Sequence, residues 1–277
     1  LINLLKKVHI HPIFWAILGA GAISGFFKEI IMLFIIVFVH EMGHSMMAQR
    51  FRWRIKKITL LPFGGMAETE EYGNRPVREE ILVVLNGPVQ HLWLMGVSYF
   101  LLLTPFWSEG DHQMFIFHNL TILLFNLLPV LPLDGGKLLF AFHSYIFPFH
   151  KAQQISFYMS ISLLSIMSVI GLIFLPFHLN LIVVIIFLWI HHYLEWKQQP
   201  FMFLRFLLER KRYLMKGSTD IIRVSPTISV AEAMKKVNRQ RYHYFILGNN
   251  NFRLEEKQVL EAFFDEEKRL HPISKLV

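Results

Sequence analysis

The chain has 277 residues, of which 54% are apolar and 27 are Phe. A soluble domain carries about 45–50% apolar residues; here the excess falls in long runs, which excludes water as the only solvent. Cysteine is absent, which excludes disulfides, thiolate metal sites and cysteine nucleophiles together, so any metal must be held by nitrogen and oxygen.

The net charge of +8 is uneven: from Lys197 onward 16 Lys and Arg face 9 Asp and Glu, against 12 and 11 in the residues before it. A basic tail behind an apolar body fits contact with anionic lipid better than direct binding of nucleic acid.

A spanning helix needs about 20 mostly apolar residues. Six runs are expected to cross the bilayer: Pro12–Phe27, Ile30–Ala48, Ile81–Thr104, Phe115–Leu133, Ile155–Leu175 and Leu179–Tyr193. No small-residue cleavage site follows the first run, so no cleavable signal peptide is expected. Positive charge gathers before the first run (Lys6, Lys7), after the second (Arg50, Arg52, Arg54, Lys56, Lys57), after the fourth (Lys137, Lys151) and after the sixth. The alternate loops are poor in it, which predicts that both termini are cytoplasmic.

Between the second and third runs, Ile55–Leu61 and Met66–Glu71 flank Pro62-Phe63-Gly64-Gly65 and read as a hairpin. Phe201–Tyr213 is amphipathic and basic, as an interfacial linker would be. The tail alternates extended and helical patterns. Arg223–Ser225 is extended, Val230–Gln240 helical, Tyr242–Leu247 a strand, Asn249–Asn251 a turn and Glu255–Phe264 a helix. Ser229 and Glu232 form a candidate capping box. The expected fold is an all-α polytopic membrane bundle of about six transmembrane helices, with a hairpin loop and a small C-terminal α/β domain. The expected divisions are a membrane domain at 1–196, a linker at 197–216 and the tail at 217–277.

His40-Glu41-Met42-Gly43-His44 lies inside the second run. On a helix, positions i and i+4 share a face, so two imidazoles converge on one zinc ion with Glu41 beside them as a base. Three ionisable residues within five intramembrane positions call for a common function, since each is costly in lipid; the alternative is a polar patch for helix packing. A catalytic zinc needs a third protein ligand and an open position. Asp134 supplies a candidate oxygen in Asn126-Leu127-Leu128-Pro129-Val130-Leu131-Pro132-Leu133-Asp134-Gly135-Gly136, although Asp-Gly is also an ordinary turn signal. Pro129 and Pro132 break the helix, and irregular backbone at membrane depth is tolerated only when buried or lining a wet cavity. His44 lies six residues before Arg50, roughly 9 Å from the cytoplasmic interface, and Asp134 is expected at a similar depth.

These motifs together resemble the site-2 protease family of intramembrane metalloproteases. The likeness extends to His9-Ile10-His11-Pro12, Gly73-Asn74-Arg75-Pro76, Asn86-Gly87-Pro88-Val89-Gln90-His91, Pro132–Phe140 and Arg205–Arg210, which resemble the members found in endospore-forming bacteria. The resemblance implies one Zn²⁺ held by His40, His44 and Asp134, with Glu41 as catalytic base. Asn126 corresponds to a family asparagine that steadies the reacting centre or the substrate; capping of the broken helix is the competing role. The family's membrane-dipping hairpin corresponds to Pro62, Phe63, Gly64 and Gly65. With Pro132, these are the expected substrate contacts, a free strand edge capturing an extended peptide; a linker hairpin is the alternative.

For the whole protein, the resemblance implies residence in the mother-cell membrane around the forespore. It implies removal of the pro-sequence of the sporulation sigma factor sigma-K, and restraint by two inhibitory membrane proteins. The tail resembles a single CBS motif through Val224-Ser225-Pro226 and Ile228–Met234. That leaves open an adenine nucleotide, pairing of tails in a homo-oligomer, or a docking role. Gly87-Pro88 either kinks the third run or lets it pack closely. His9 with His11, and His191 with His192, read as interfacial anchors rather than metal pairs. Asn119-Leu120-Thr121 fits a glycosylation acceptor by accident of its position at a span edge. Two rival functions stand beside proteolysis: a zinc-less retention protein and a metal transporter.

Overall fold

The structure is a computed structural model and describes residues 4, 7–10, 12, 15, 19, 21, 23–61, 64–69, 73–174, 179–212, 218–248 and 252–276. It contains two compact units: residues 1–71, 78–129 and 133–135 form one, and residues 72–77, 130–132 and 136–277 the other.

In the first unit, β1 (Val8–Ile10) is followed by α1 (Phe27–Arg50), β2 (Ile55–Leu61), β3 (Gly64–Thr69), α2 (Val77–Leu101) and α3 (Glu109–Asn126). The 24 residues of α1 extend about 36 Å, enough to cross the hydrocarbon core. Among the described residues, α1, α2 and α5 (Phe149–Phe174) are long and apolar enough to span a membrane. The outer face of α5 carries Ile170, Leu172, Ile173 and Phe174, each 51–74% exposed, a surface suited to lipid rather than water.

In the first expected span, residues 13, 14, 16–18, 20 and 22 lie outside the described residues. The fourth is shorter than the apolar run: α3 ends at Asn126, and residues 127–133 are irregular. Pro129 and Pro132 each lack an N–H for the helix ladder, so the hydropathic run outlasts the helix. The backbone of Leu131 in this break is satisfied within the second unit. Its N–H donates to Ser160 Oγ at 2.7 Å and its carbonyl meets His192 Nδ1 at 3.1 Å. Asp134 then opens α4 (Asp134–Ile146). The sixth run forms the first half of α6 (Leu179–Arg212), which continues without a break through the amphipathic stretch.

The hairpin strands pair antiparallel from Leu61↔Gly64 to Ile55↔Thr69, with an irregularity between Ile55 and Lys57. The second strand therefore starts two residues earlier than expected, and Pro62 and Phe63 lie outside the described residues. The sequence reading missed β1, which pairs parallel with β2 from Val8↔Ile58 to Ile10↔Leu60. With the order β1-β2-β3, β2 is central and β3 keeps an open edge among the described residues.

In the second unit, β4 (Thr219–Val224), α7 (Val230–Met234), β5 (Tyr242–Leu247), β6 (Phe252–Glu255) and α8 (Glu256–Phe263) follow α6. β4 pairs parallel with β5, and β5 antiparallel with β6. Ser229 Oγ accepts the Glu232 N–H and caps α7, which is shorter than the expected helix. Phe206 and Leu207 of α6 are fully buried in one core with Val230, Met234, Phe245 and Val259 of the tail. A buried ionic cluster adds to it: Arg210 of α6 binds the Glu256 carboxylate, which also accepts the His243 N–H and Nδ1–H, both at 2.8 Å. His243 Nε2 takes the Asn238 N–H at 3.3 Å, which fixes its proton on Nδ1.

Candidate metal centre

The helix period of α1 sets His40 and His44 on one face, their Nε2 atoms 3.1 Å apart. Asp134 Oδ2 lies 3.1 Å from His40 Nε2 and 3.0 Å from His44 Nε2. A Glu41 carboxylate oxygen lies within 4.8 Å of ring nitrogens of both histidines. All four residues are buried: His40, Glu41, His44 and Asp134 are 3%, 6%, 8% and 2% exposed.

Three features bring them together. The residue pattern of α1 supplies two imidazoles one turn apart. The break after α3 returns the chain so that Asp134 stands at the N-terminus of α4, where the helix dipole favours a carboxylate. Gly135 makes that return possible, because a side chain there would run into the carbonyls of Leu127 and Leu128. On the other side α2 approaches closely: Asn86 Nδ2 donates to the Gly43 carbonyl at 2.6 Å, and Gly87 faces the two histidine rings. Gly87 packs closely against the two histidines, and α2 continues through Pro88 without a break.

The donor set fits zinc. His44 Nδ1 lies 2.9 Å from the Val83 carbonyl. That oxygen only accepts, so Nδ1 carries the proton and the neutral ring offers a lone pair at Nε2. The three donor atoms stand 3.0–3.1 Å from one another, close enough that His40, His44 and Asp134 would hold one ion together. Three such atoms, two nitrogens and an anionic oxygen, match the catalytic zinc pattern of three protein ligands with one position free.

Other expected residues stand apart from this geometry. Asn126, the last residue of α3, donates from Nδ2 to the Ile122 carbonyl at 3.0 Å, one turn back in its own helix. Pro132 lies in the irregular segment and follows a cis peptide bond. Gly64 and Gly65 begin β3, paired with Leu61 and Leu60. His9 is exposed on β1, its Nδ1 3.0 Å from the Lys7 carbonyl, and His11 lies outside the described residues. His192 is buried and stacks on Phe157 at 4.9 Å, a packing role rather than an interfacial one. Two residues not picked out for this site adjoin it. His91 Nε2 is 3.0 Å from His40 Nδ1, and His91 Nδ1 is 2.8 Å from Asn119 Oδ1.

Residues 28–110 and 111–167 match peptidase family M50. The chain belongs to peptidase family M50. It is 36% identical over 275 residues to stage IV sporulation protein FB of Bacillus subtilis (strain 168), covering 96% of this chain and 94% of that protein. It is 30% identical over 186 residues to a zinc metalloprotease of Methanocaldococcus jannaschii, covering 65% of this chain and 49% of that one. The solved site-2 protease from Methanocaldococcus jannaschii superposes with a TM-score of 0.53 at 29% identity, over 68% of this chain and 89% of that one. This M50 member is an integral membrane metalloendopeptidase of the site-2 protease type. That identity sets aside the zinc-less retention protein and the metal transporter.

Proposed function

We propose that this M50 peptidase removes the pro-sequence of a membrane-associated sporulation sigma factor, sigma-K, with zinc held by His40, His44 and Asp134. The observation that carries the metal reading is the convergence of two imidazole nitrogens and one carboxylate oxygen at 3.0–3.1 Å. Bound there, zinc would supply Lewis acidity, lowering the pKa of a water toward about 7 and polarising the scissile carbonyl.

The remaining chemistry belongs to the chain. Glu41 takes the proton from the attacking water and passes it to the leaving amine. Asn126 rotates its amide from the Ile122 carbonyl toward the substrate and donates to the developing oxyanion. Burial of the four site residues keeps competing solvent low.

The substrate segment enters extended, because a helical peptide bond is shielded from attack. The open edge of β3 offers it backbone partners, and Pro62, Phe63, Gly64, Gly65 and Pro132 are the candidate substrate contacts. The charge pattern supports cytoplasmic termini. The sporulation substrate, the mother-cell membrane around the forespore and the inhibitory membrane partners rest on the likeness to stage IV sporulation protein FB.

The tail at 217–277 acts as a CBS-like docking module, joined to the membrane domain at 1–196 through 197–216. Adenine nucleotide binding would require pairing with a second tail in a homo-oligomer.

The test is co-expression of the full chain with pro-sigma-K. Cleavage by the parent and its loss in Glu41→Gln support the reading. An uncut pro-sigma-K beside a zinc-loaded parent chain would reject the substrate, and cleavage by Glu41→Gln would reject the role of Glu41.

A further inference from the structure

Behind His40, on the side away from His44 and Asp134, α2 and α3 contribute a pair of fully buried polar residues. His91 and Asn119 are each 0% exposed. Asn119 Nδ2 lies 2.9 Å from the His91 carbonyl. A carbonyl only accepts, so the amide nitrogen must face it, and this fixes Asn119 Oδ1 toward His91 Nδ1 at 2.8 Å. An amide oxygen only accepts, so His91 carries its proton on Nδ1. Neutral His91 then has a lone pair on Nε2, 3.0 Å from His40 Nδ1. His40 must supply the proton of that bond, which leaves the lone pair of His40 Nε2 directed at His44 and Asp134.

We propose that His91 and Asn119 are positioning residues that set the tautomer and ring angle of His40 for zinc. The role rests on the metal reading above. The two ligand imidazoles are thereby oriented by different means: His44 by a backbone carbonyl, Val83, and His40 by a side-chain relay. Metal-ligating histidines characteristically donate their second N–H to an acceptor, and losing it weakens metal binding about 10–100-fold. The intramembrane setting sharpens the requirement, since no bulk water replaces a lost acceptor. The relay also gives a role to the fully buried Asn119 amide, which no glycosylation enzyme could reach.

The experiment uses the detergent-purified full chain. Zinc affinity is measured by competition with a chromophoric chelator, and the visible spectrum is recorded after loading with cobalt(II). His91→Phe removes the acceptor and is expected to weaken zinc binding about 10–100-fold and to alter the cobalt bands. His91→Gln sets a carbonyl oxygen near the former Nε2 position and is expected to restore most of the affinity. Asn119→Leu should weaken binding as His91→Phe does, and the double variant should lose little more than either alone, because both act on one bond.

Affinity in His91→Phe equal to that of the parent would overturn the relay, as would His91→Gln failing as badly as His91→Phe. Should His91→Phe not fold, Asn119→Asp against Asn119→Leu makes the same comparison, since only Asp retains an acceptor; equal affinities would again overturn it. A parent chain that binds no zinc overturns the metal reading and the relay together, whereas a zinc-binding parent with unaffected variants overturns the relay alone.

Discussion

Gly87 of α2 lies so close to His44 of α1 that a Cβ at this position would overlap the His44 ring and come within 2.9 Å of His40 Cε1. Neither ring can yield without moving its Nε2 away from Asp134. The Gly87→Ala chain is therefore expected to fold but to bind zinc about 10–100-fold more weakly, the range found when groups that orient ligands are changed. Equilibrium chelator competition on the purified protein measures this. Affinity equal to the parent would mean that the histidines are not held by α2.

Glu41 sits beside the donor set and accepts no part in the 3.0–3.1 Å triangle of His40, His44 and Asp134. Glu41→Gln keeps the side-chain shape and removes the base. Its zinc content should match the parent, while the cleavage rate falls by at least about 10²-fold. Parallel metal analysis and a gel assay of the same preparations separate the two effects.

The centre was legible in the chain to different depths, and the differences have physical causes. His40, Glu41 and His44 stand out because helix periodicity turns a five-residue spacing into one face. Asp134 was legible as an oxygen donor beside helix breakers, although its distance from the histidines depends on how residues 127–133 bend. His91 and Asn119 carry no such pattern. Their contact joins two helices through a separation of 28 residues, and each residue alone reads as an ordinary polar side chain. β1 was illegible for a related reason, being three residues long and stabilised by non-local parallel pairing. The helix break after α3 was legible in Pro129 and Pro132, whereas the apolar composition of Leu127–Leu133 carried the expected span on to Leu133.

The open edge of β3 makes substrate capture depend on backbone amides more than on side chains. N-methylation of individual amides in a peptide spanning the cleavage site should lower kcat/KM by about two- to twelvefold each, the worth of one hydrogen bond. Amides outside the paired segment should be insensitive. A uniform response along the peptide, or none, would argue against strand addition.

Glu256 predicts the acid behaviour of the tail. Burial raises its pKa, but the hydrogen bonds from His243 and Arg210 and the charge of Arg210 outweigh burial and hold the carboxyl below its ordinary 4.5. A carboxyl depressed by folding adds stability that is complete above the unfolded pKa and is lost as pH falls through the lower folded value. Hydrogen exchange of β5 and α8 in the full chain should thus be steady from neutral pH to about 5 and accelerate further below, beyond the intrinsic pH trend. Glu256→Gln leaves Arg210 buried without its counter-ion and should cost about 3–5 kcal/mol at neutral pH.

The most direct test of the account is zinc K-edge X-ray absorption on the purified chain and on Asp134→Ala. One zinc per parent chain is predicted, with two imidazole nitrogens and carboxylate or water oxygen at about 2.0–2.2 Å, and little retained zinc in Asp134→Ala. Stoichiometric zinc in Asp134→Ala, with the same surrounding atoms as in the parent, would contradict it.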